Sequence, residues 1–179
     1  MKDGTTKDTG KMSILRERAI ALQLMAFDVD GIMTDGQLLF GPEGEQLKVF
    51  NTLDGHGLKQ LARAGVTLAL ITGRNSPMVA RRAADLGIEH VIQGREDKGV
   101  ALQALAGELG VTAAAVGYAG DDEPDVPALQ WAALAFSVPN AHACAQQAAD
   151  IVTQRRGGYG AVREMCDFIL AARREADRS

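Results

Sequence analysis

The sequence is poor in aromatic residues and contains no long apolar run. Its 179 residues are 46% hydrophobic but only 4% aromatic, so the core must be built from leucine, valine, isoleucine and alanine. No apolar stretch reaches the roughly 18 residues of a membrane span. The polar first residues also lack the apolar centre of a signal peptide. We therefore expect a cytoplasmic protein with no membrane partner.

Cysteine is scarce as well. Cys144 and Cys166 stand alone in the sequence and form no C-x-x-C motif. We expect both to be reduced and structural. A nucleophilic cysteine would need an activating partner, which the sequence does not reveal.

Clusters of basic residues are also missing. The formal net charge is −4, and binding to a nucleic acid requires clustered lysine and arginine for the phosphates, so we expect no nucleic-acid partner. The length is that of one domain with a substantial core. We place this domain at residues 13–175, after a flexible tail at residues 1–12, and Ser13 is a candidate cap for a short first helix.

One short stretch carries an unusual density of acids. The apolar run from Leu24 to Phe27 ends abruptly in Asp28-Val29-Asp30-Gly31, which predicts a buried strand with two carboxylates at its carboxyl end. Carboxylates held this close repel each other, and a hard divalent cation such as Mg²⁺ would compensate them. Asp and Gly are also ordinary turn residues, so this motif alone does not decide between a site and a turn.

From Leu53 onward, helical and strand patterns alternate. Continuous apolar runs such as Val66–Ile71 are typical of buried parallel strands. Repeated βα units predict an α/β fold with a doubly wound, Rossmann-like parallel sheet and right-handed crossovers. No gap between motifs is long enough for a large cap domain.

A β-hairpin is predicted directly after the first strand. Residues 37–40 and 46–50 are β-like, and Gly41-Pro42-Glu43-Gly44 between them is a turn sequence. An isolated hairpin is marginally stable. The apolar residues of this hairpin have no local core, so we expect it to pack against another subunit, through Leu39, Phe40, Leu47, Val49 and Phe50.

Several strand ends deliver chemically useful residues. Thr72 and Gly73 follow the strand that ends at Ile71, Lys98 opens a later helix, and Gly120-Asp121-Asp122 follows another strand. Carboxyl ends of parallel strands share one edge of a sheet, so we expect these residues to converge on Asp28 and Asp30. Each residue has an ordinary alternative: a helix cap for Thr72, a surface lysine for Lys98 and a loop for the acids. Together, an acid nucleophile, phosphate-binding donors and metal-binding acids predict phosphoryl transfer.

The ordered set of motifs resembles the haloacid dehalogenase superfamily of phosphotransferases. The motifs are Asp28-Val29-Asp30-Gly31, Thr72-Gly73, Lys98 and Gly120-Asp121-Asp122. A closer resemblance is to the family of 3-deoxy-D-manno-octulosonate 8-phosphate (KDO 8-phosphate) phosphatases of lipopolysaccharide precursor synthesis. It covers residues 22–170 and extends to Gly157-Gly-Tyr-Gly-Ala-Val-Arg-Glu164.

The resemblance implies a role for each residue of these motifs. Asp28 would attack phosphorus and form an aspartyl-phosphate, and Asp30 would be the general acid and base. Mg²⁺ would be held by Asp28, the backbone carbonyl of Asp30, and Asp121. Thr72 and Lys98 would bind the phosphoryl oxygens, and Asp122 and Asp125 would orient the metal shell.

The resemblance also implies a tetramer built by the hairpin, in which a neighbouring subunit covers the site. The loop Gly157–Gly160 would reach an adjacent site. The positions that match the substrate pocket are Asp30, Asn51, Thr52, Leu53, Asp54, Gly55, Lys59, Gly73, Arg74, Arg82 and Lys98. This sequence departs from the family pattern at Leu53 and Tyr159, where basic residues are common, and at Lys59, where arginine is common. Both Leu53 and Tyr159 weaken anion recognition.

Three alternatives compete with this prediction. A phospho-receiver domain also clusters Asp, Thr and Lys around Mg²⁺, but its phospho-accepting Asp lies mid-chain. A catalytically silent, structural tetramer would not need the intact acids. A phosphatase for another substrate, such as a nonulosonate 9-phosphate, fits the same motifs.

Overall fold

The computed structural model of the chain describes residues 4–178. It contains eight strands: β1 Leu24–Phe27, β2 Leu39–Gly41, β3 Gly44–Leu47, β4 Thr67–Ile71, β5 His90–Ile92, β6 Val116–Ala119, β7 Leu134–Ser137 and β8 Ile151–Val152. Six of them form one parallel sheet in the order β5-β4-β1-β6-β7-β8. The predicted doubly wound fold is therefore confirmed, with β1 near the centre of the sheet.

Seven α-helices accompany the strands in the described part of the chain. They are α1 Gly4–Ala21, α2 Thr52–Arg63, α3 Pro77–Leu86, α4 Lys98–Glu108, α5 Val126–Trp131, α6 Ala143–Ala148 and α7 Ala161–Ala176. One face of the sheet packs on α1, α2, α3 and α7, and the other packs on α4, α5 and α6. Successive side chains of β1 point to opposite faces of the sheet. Phe27 packs in the first core layer, with α1, α2, α3 and α7, and Ala26 packs in the second, with α4, α5 and α6.

The predicted hairpin is present, with shorter strands than the sequence suggested. Strands β2 and β3 pair antiparallel around the turn between Gly41 and Gly44. Gly44 has a φ of 111°, a conformation that favours glycine. Leu39, Phe40, Leu47 and Val49 are exposed as predicted, whereas Phe50 is half-buried against the first core layer.

The sequence prediction about the start of the first helix was wrong. The first helix begins at Gly4 rather than after a cap at Ser13, so residues 4–12 of the predicted tail are helical, and residues 1–3 lie outside the described residues. Leu15 and Ala19 anchor this helix in the core, and adding residues to an existing helix costs far less than starting a new one. The cap of α6 is His142, and the nearby Asn140 side chain accepts a hydrogen bond from the Gly157 N–H at 3.0 Å.

Among the described helices, none combines the length and apolar character needed to cross a bilayer.

Candidate active site

A cavity of about 290 Å³ lies at the carboxyl ends of β1, β4 and β6. Its walls contain acidic side chains from two loops together with Lys98 and the residues that follow β4. The lining residues are Asp28, Asp30, Gly36, Leu38, Thr72, Gly73, Arg74, Glu96, Lys98, Asp121, Asp122, Pro124 and Asp125. The expected convergence of the strand ends on one edge of the sheet is thus observed.

Asp28 lies at the bottom of this cavity, one residue beyond β1. Its N–H bonds the Ala119 carbonyl at 2.9 Å, which extends the pairing of β1 with β6. The residue is only 3% exposed, and the Lys98 Nζ donates to its Oδ1 at 2.7 Å. Burial and the neighbouring Asp125 raise the pKa of Asp28 well above its ordinary value, against the opposing effect of Lys98.

Asp125 organises the floor of the cavity. It is completely buried, and its Oδ1 accepts from Lys98 at 2.8 Å and from the Tyr118 hydroxyl at 2.6 Å. Its Oδ2 accepts from the backbone N–H groups of Asp121 and Asp122, each at 3.1 Å. Both oxygens are therefore occupied, and Asp125 positions the lysine and the acidic loop.

Lys98 opens α4, as the sequence predicted, and its side chain is buried between two acids. Burial alone would lower the pKa of its ammonium group. The charges of Asp28 and Asp125 more than offset burial, so the pKa of Lys98 is raised above its ordinary value. The ammonium group consequently stays charged in the interior, where an incoming phosphoryl group would need a cation.

Asp121 is suited to holding a metal ion together with Asp28. Carboxylate oxygens of Asp28, Asp121 and Asp125 lie within 4.8 Å of one another. The Oδ1 of Asp121 is buried without a hydrogen-bond partner in the described chain, and burial and Asp125 raise the pKa of Asp121 to about 6. An oxygen-only set of donors with one unsatisfied carboxylate oxygen fits a hard cation such as Mg²⁺.

Gly31 lets Asp121 approach the backbone of the first motif. A Cβ at Gly31 would lie 1.9 Å from the Asp121 Oδ2, and its φ is 101°. Any side chain here would displace the carboxylate, so the glycine of the first motif is required sterically as well as conformationally.

Asp30 has a partner that the sequence analysis missed. Lys48, just after β3, reaches from the hairpin and forms an ion pair with Asp30, and it forms a second with Glu45 at 2.8 Å. The Lys48 side chain is almost fully buried, at 1% exposure. Burial disfavours its charge, but hydrogen bonds to Asp30 and Glu45 outweigh this and raise the pKa of Lys48.

The residues after β4 form one wall of the cavity. Thr72 is buried, and its hydroxyl accepts from the Arg74 N–H at 3.3 Å. Arg74 lies over the Phe40 ring of the hairpin, with 5.9 Å from the guanidinium carbon to the ring centroid. The hairpin thus contacts two residues that line the cavity, Asp30 and Arg74, within its own chain. Glu96, another lining residue, was not predicted.

A second group of predicted site residues lies outside this cavity. It consists of Asn51, Thr52, Leu53, Asp54, Gly55, Lys59 and Arg82, and none of them lines it. They lie on α2, at its N-cap and on α3, apart from the strand ends that bear the acids. That they border the substrate stays a prediction.

These residues have other contacts in the fold. Asp54 is buried and accepts from the Arg163 N–H at 2.8 Å, so it holds the start of α7. The Asn51 side chain caps α2 through the Leu53 N–H at 2.8 Å. The guanidinium carbon of Arg82 lies 5.7 Å from the centroid of the Phe50 ring. A Cβ at Gly55 would lie only 2.4 Å from the Arg82 Nη2, so a side chain at Gly55 would clash with Arg82.

The loop Gly157–Gly160 packs against the first motif of its own chain. The Gly158 N–H bonds the Ile32 carbonyl at 3.1 Å. A Cβ at Gly157 would lie 1.7 Å from the Gly31 carbonyl oxygen, so only glycine permits this approach. Tyr159 stays exposed, with its hydroxyl 3.4 Å from Asp35. Contact of this loop with an adjacent site stays a prediction.

Comparisons with known proteins place this geometry in a family context. Residues 39–133 match the family model of the haloacid dehalogenase-like hydrolases. The chain is 42% identical over 156 residues to the 3-deoxy-D-manno-octulosonate 8-phosphate phosphatase KdsC of Yersinia pestis, covering 87% of this chain and 83% of that relative.

Solved structures give the same result at the level of the fold. The KDO 8-phosphate phosphatase of Moraxella catarrhalis, in complex with magnesium, phosphate and KDO, superposes with a TM-score of 0.88 at 44% identity, covering 92% of this chain and 94% of that one. A putative hydrolase of the same superfamily (subfamily III A) from Legionella pneumophila superposes with a TM-score of 0.91 at 40% identity, covering 96% and 94%.

Proposed function

Because this chain belongs to the haloacid dehalogenase-like hydrolase family, we propose that it hydrolyses KDO 8-phosphate to KDO and phosphate. The observation that carries the proposal is the buried Asp28 carboxylate, held by Lys98 and bordered by Asp121 in one cavity. Relatives at about 40% identity bear this activity in their names, and a structural neighbour holds magnesium, phosphate and KDO. The proposed setting is the cytoplasm and lipopolysaccharide precursor synthesis.

The first step of the proposed reaction is an attack by Asp28. A carboxylate oxygen of Asp28 forms a bond to phosphorus while the bond from phosphorus to the sugar oxygen breaks. Asp30 gives its proton to the departing sugar oxygen, which leaves as the alcohol. Lys98, Thr72 and the Gly73 N–H are the proposed donors to the phosphoryl oxygens.

The second step releases the phosphate. Water attacks phosphorus, Asp30 accepts the proton of that water, and the bond from phosphorus to Asp28 breaks. Asp28, Asp121 and the Asp30 backbone carbonyl would hold Mg²⁺, which would offset the negative charge that phosphate brings into an acidic cavity. Lys48 is the residue that would keep the Asp30 carboxylate oriented between the two proton transfers.

Water must be excluded without a large cap domain. We propose that the exposed hairpin residues assemble a homotetramer and that a neighbouring subunit completes each substrate pocket. This arrangement would give Asn51, Thr52, Leu53, Asp54, Gly55, Lys59 and Arg82 a role in substrate binding that their own chain does not offer. Leu53 and Tyr159, which replace common basic residues, would weaken substrate affinity rather than slow the chemical step.

The deciding experiment compares substrates on purified protein with Mg²⁺. We expect the highest kcat/KM for KDO 8-phosphate, and a lower value for nonulosonate 9-phosphates and hexose phosphates. A clear preference for a nonulosonate 9-phosphate would contradict the proposed substrate and leave the proposed mechanism unchanged. No turnover of any phosphate ester would favour the catalytically silent alternative. The receiver-domain alternative has lost its basis, since the chain matches a hydrolase family.

A further inference from the structure

Three side chains of types that bind transition metals converge beside the acidic loop. They are Asp122, His142 and Cys144, whose carboxylate oxygen, ring nitrogen and sulfur lie within 4.8 Å of one another. Asp122 and His142 are exposed and Cys144 is half-buried. None of the steps proposed above uses His142 or Cys144. We propose that these three residues form a second metal site, selective for a Zn²⁺-type ion rather than Mg²⁺.

The chemistry of the donors carries this selectivity. Thiolate and imidazole ligands favour Zn²⁺ and similar transition ions, whereas Mg²⁺ prefers oxygen ligands in an octahedral arrangement. The oxygen-only cluster of Asp28 and Asp121 therefore suits the hard ion, and the mixed cluster suits the softer one. One protein loop, which carries Asp121 and then Asp122, supplies a carboxylate to each.

The positions of the donors are compatible with a tetrahedral ion. Donors bound to zinc at about 2.0–2.3 Å lie about 3.5 Å apart. The His142 Nδ1 and the Cys144 Sγ are 2.9 Å apart, and the third donor lies within 4.8 Å of both. Small side-chain rotations at these accessible residues would bring all three to bonding distance, and the fourth position would be left for water.

The backbone holds the two contributing segments together. The His142 N–H donates to the Asp121 carbonyl at 2.8 Å, which fixes the start of α6 against the acidic loop. The Asp122 N–H donates to the buried Asp125, so the loop itself is anchored. The Cys144 N–H points at the His142 Nδ1 at 3.4 Å, which makes that nitrogen the acceptor of the pair. The same lone pair is the one that would bind a metal.

The competing interpretation is purely structural. His142 caps the six-residue helix α6, and a thiol that donates to its ring would strengthen this cap without any metal. The two interpretations differ in one measurable property, which is whether the reduced protein retains Zn²⁺ when Mg²⁺ is in excess.

The test is a zinc titration of the full chain, reduced with a non-chelating phosphine, in excess Mg²⁺ and against a chromophoric chelator. We expect one Zn²⁺ per chain. Cys144→Ser and His142→Asn should each weaken binding by more than about 10-fold, since even groups that merely support a ligand change metal affinity by about 10- to 100-fold. Cys166→Ala is the matched control, because Cys166 is buried in the core and far from solvent.

Cobalt provides a second readout that does not depend on enzyme activity. Co²⁺ bound by a thiolate shows a sulfur-to-metal charge-transfer absorption, which oxygen ligands cannot produce. We expect this absorption in the wild type and in Cys166→Ala, and its loss in Cys144→Ser. A wild type that retains no Zn²⁺ in excess Mg²⁺, or a Cys144→Ser variant with unchanged zinc affinity, would overturn the proposal. A metal that binds only the oxygen cluster would leave the charge-transfer region blank and would also overturn it.

Discussion

At the scale of single residues, the proposed chemistry depends on charged groups that are buried at the base of the cavity. Asp28 and Asp125 are buried acids that share Lys98, and each would be costly without it. The buried ion pairs therefore require that Lys98 stays between Asp28 and Asp125. Removal of Lys98 is therefore expected to destabilise the fold as well as lower activity.

Asp28→Asn is expected to lower kcat by at least about 1,000-fold, since removal of a nucleophile removes the covalent route entirely. The amide has nearly the same shape, and burial already disfavours the charged form of Asp28. The folded state should thus persist, as judged by circular dichroism. Phosphate release and metal content are the quantities to measure. Substantial turnover by a variant with normal metal content would contradict the covalent mechanism.

Lys48→Gln is expected to lower kcat by about 10-fold, or roughly 1.4 kcal/mol, because Asp30 loses its buried ion-pair partner. Lys48→Arg should restore part of this activity, since it keeps the charge. Lys11→Gln, at an exposed position on α1, is the matched control and should leave kcat unchanged. Equal kcat values for the wild type and Lys48→Gln would show that the Lys48 contact has no role in turnover.

Removal of divalent ions is expected to abolish activity, because the oxygen cluster would lose the ion that offsets the phosphate charge. Re-addition of Mg²⁺ should restore it. Asp121→Ala should raise the Mg²⁺ concentration needed for half-maximal activity by more than about 10-fold, since it removes a direct ligand. Full activity of chelator-treated protein would end the metal proposal.

At the scale of elements, the exposed apolar side chains of the hairpin are not explained by contacts within one chain. Its strands expose Leu39, Phe40 and Leu47, and Val49 follows them at the surface. At the same time its base is fixed to the site through Lys48. One side of the hairpin contacts a residue of the active site, and its other side is exposed. The hairpin is therefore suited to linking a subunit interface to the active site.

Leu47→Glu and Val49→Glu are expected to convert the proposed tetramer into smaller species, because each would bury a charge in an apolar interface. The two side chains are 61% and 68% exposed in the single chain. Val100→Glu is the matched control, since Val100 is 58% exposed on α4. Light scattering gives the mass. A wild type that is already monomeric would rule out the tetramer, and equal behaviour of all three variants would remove the hairpin from the interface.

At the scale of the whole molecule, the proposed substrate pocket is divided between copies of the chain. Arg82 does not line the cavity of its own chain, although it matches a substrate-binding position. We expect Arg82→Ala to raise KM by about 10-fold with a smaller effect on kcat, since contacts remote from phosphorus bind ground and transition states alike.

Mixed oligomers separate a role in the neighbour's site from a local structural role. Asp28→Asn and Arg82→Ala chains should each be weak alone. When they are co-expressed, one site can combine an intact Asp28 from one chain with an intact Arg82 from another, so activity should exceed the sum of the separate variants. Strict additivity would place the effect of Arg82 within its own chain.

The sequence by itself determined the doubly wound parallel sheet and the residues at the carboxyl ends of its strands. Strand β1 was predicted at its observed bounds, and Asp28, Thr72, Lys98 and Asp121 converge as expected. The reason is that apolar runs and helix periods are local signals, and the parallel sheet brings all strand ends to one edge.

Only the tertiary structure decided which charges meet and which residues stay apart. Lys48 reaches Asp30 because the hairpin folds back over the cavity, and no local pattern records that direction. Arg82 and Asn51 do not line this cavity; instead the Arg82 Nη2 donates to the Asn51 carbonyl at 3.4 Å, a contact between α3 and the start of α2 that no local pattern records. Long-range contacts of this kind depend on how whole elements pack, whereas strand ends depend only on where each apolar run stops.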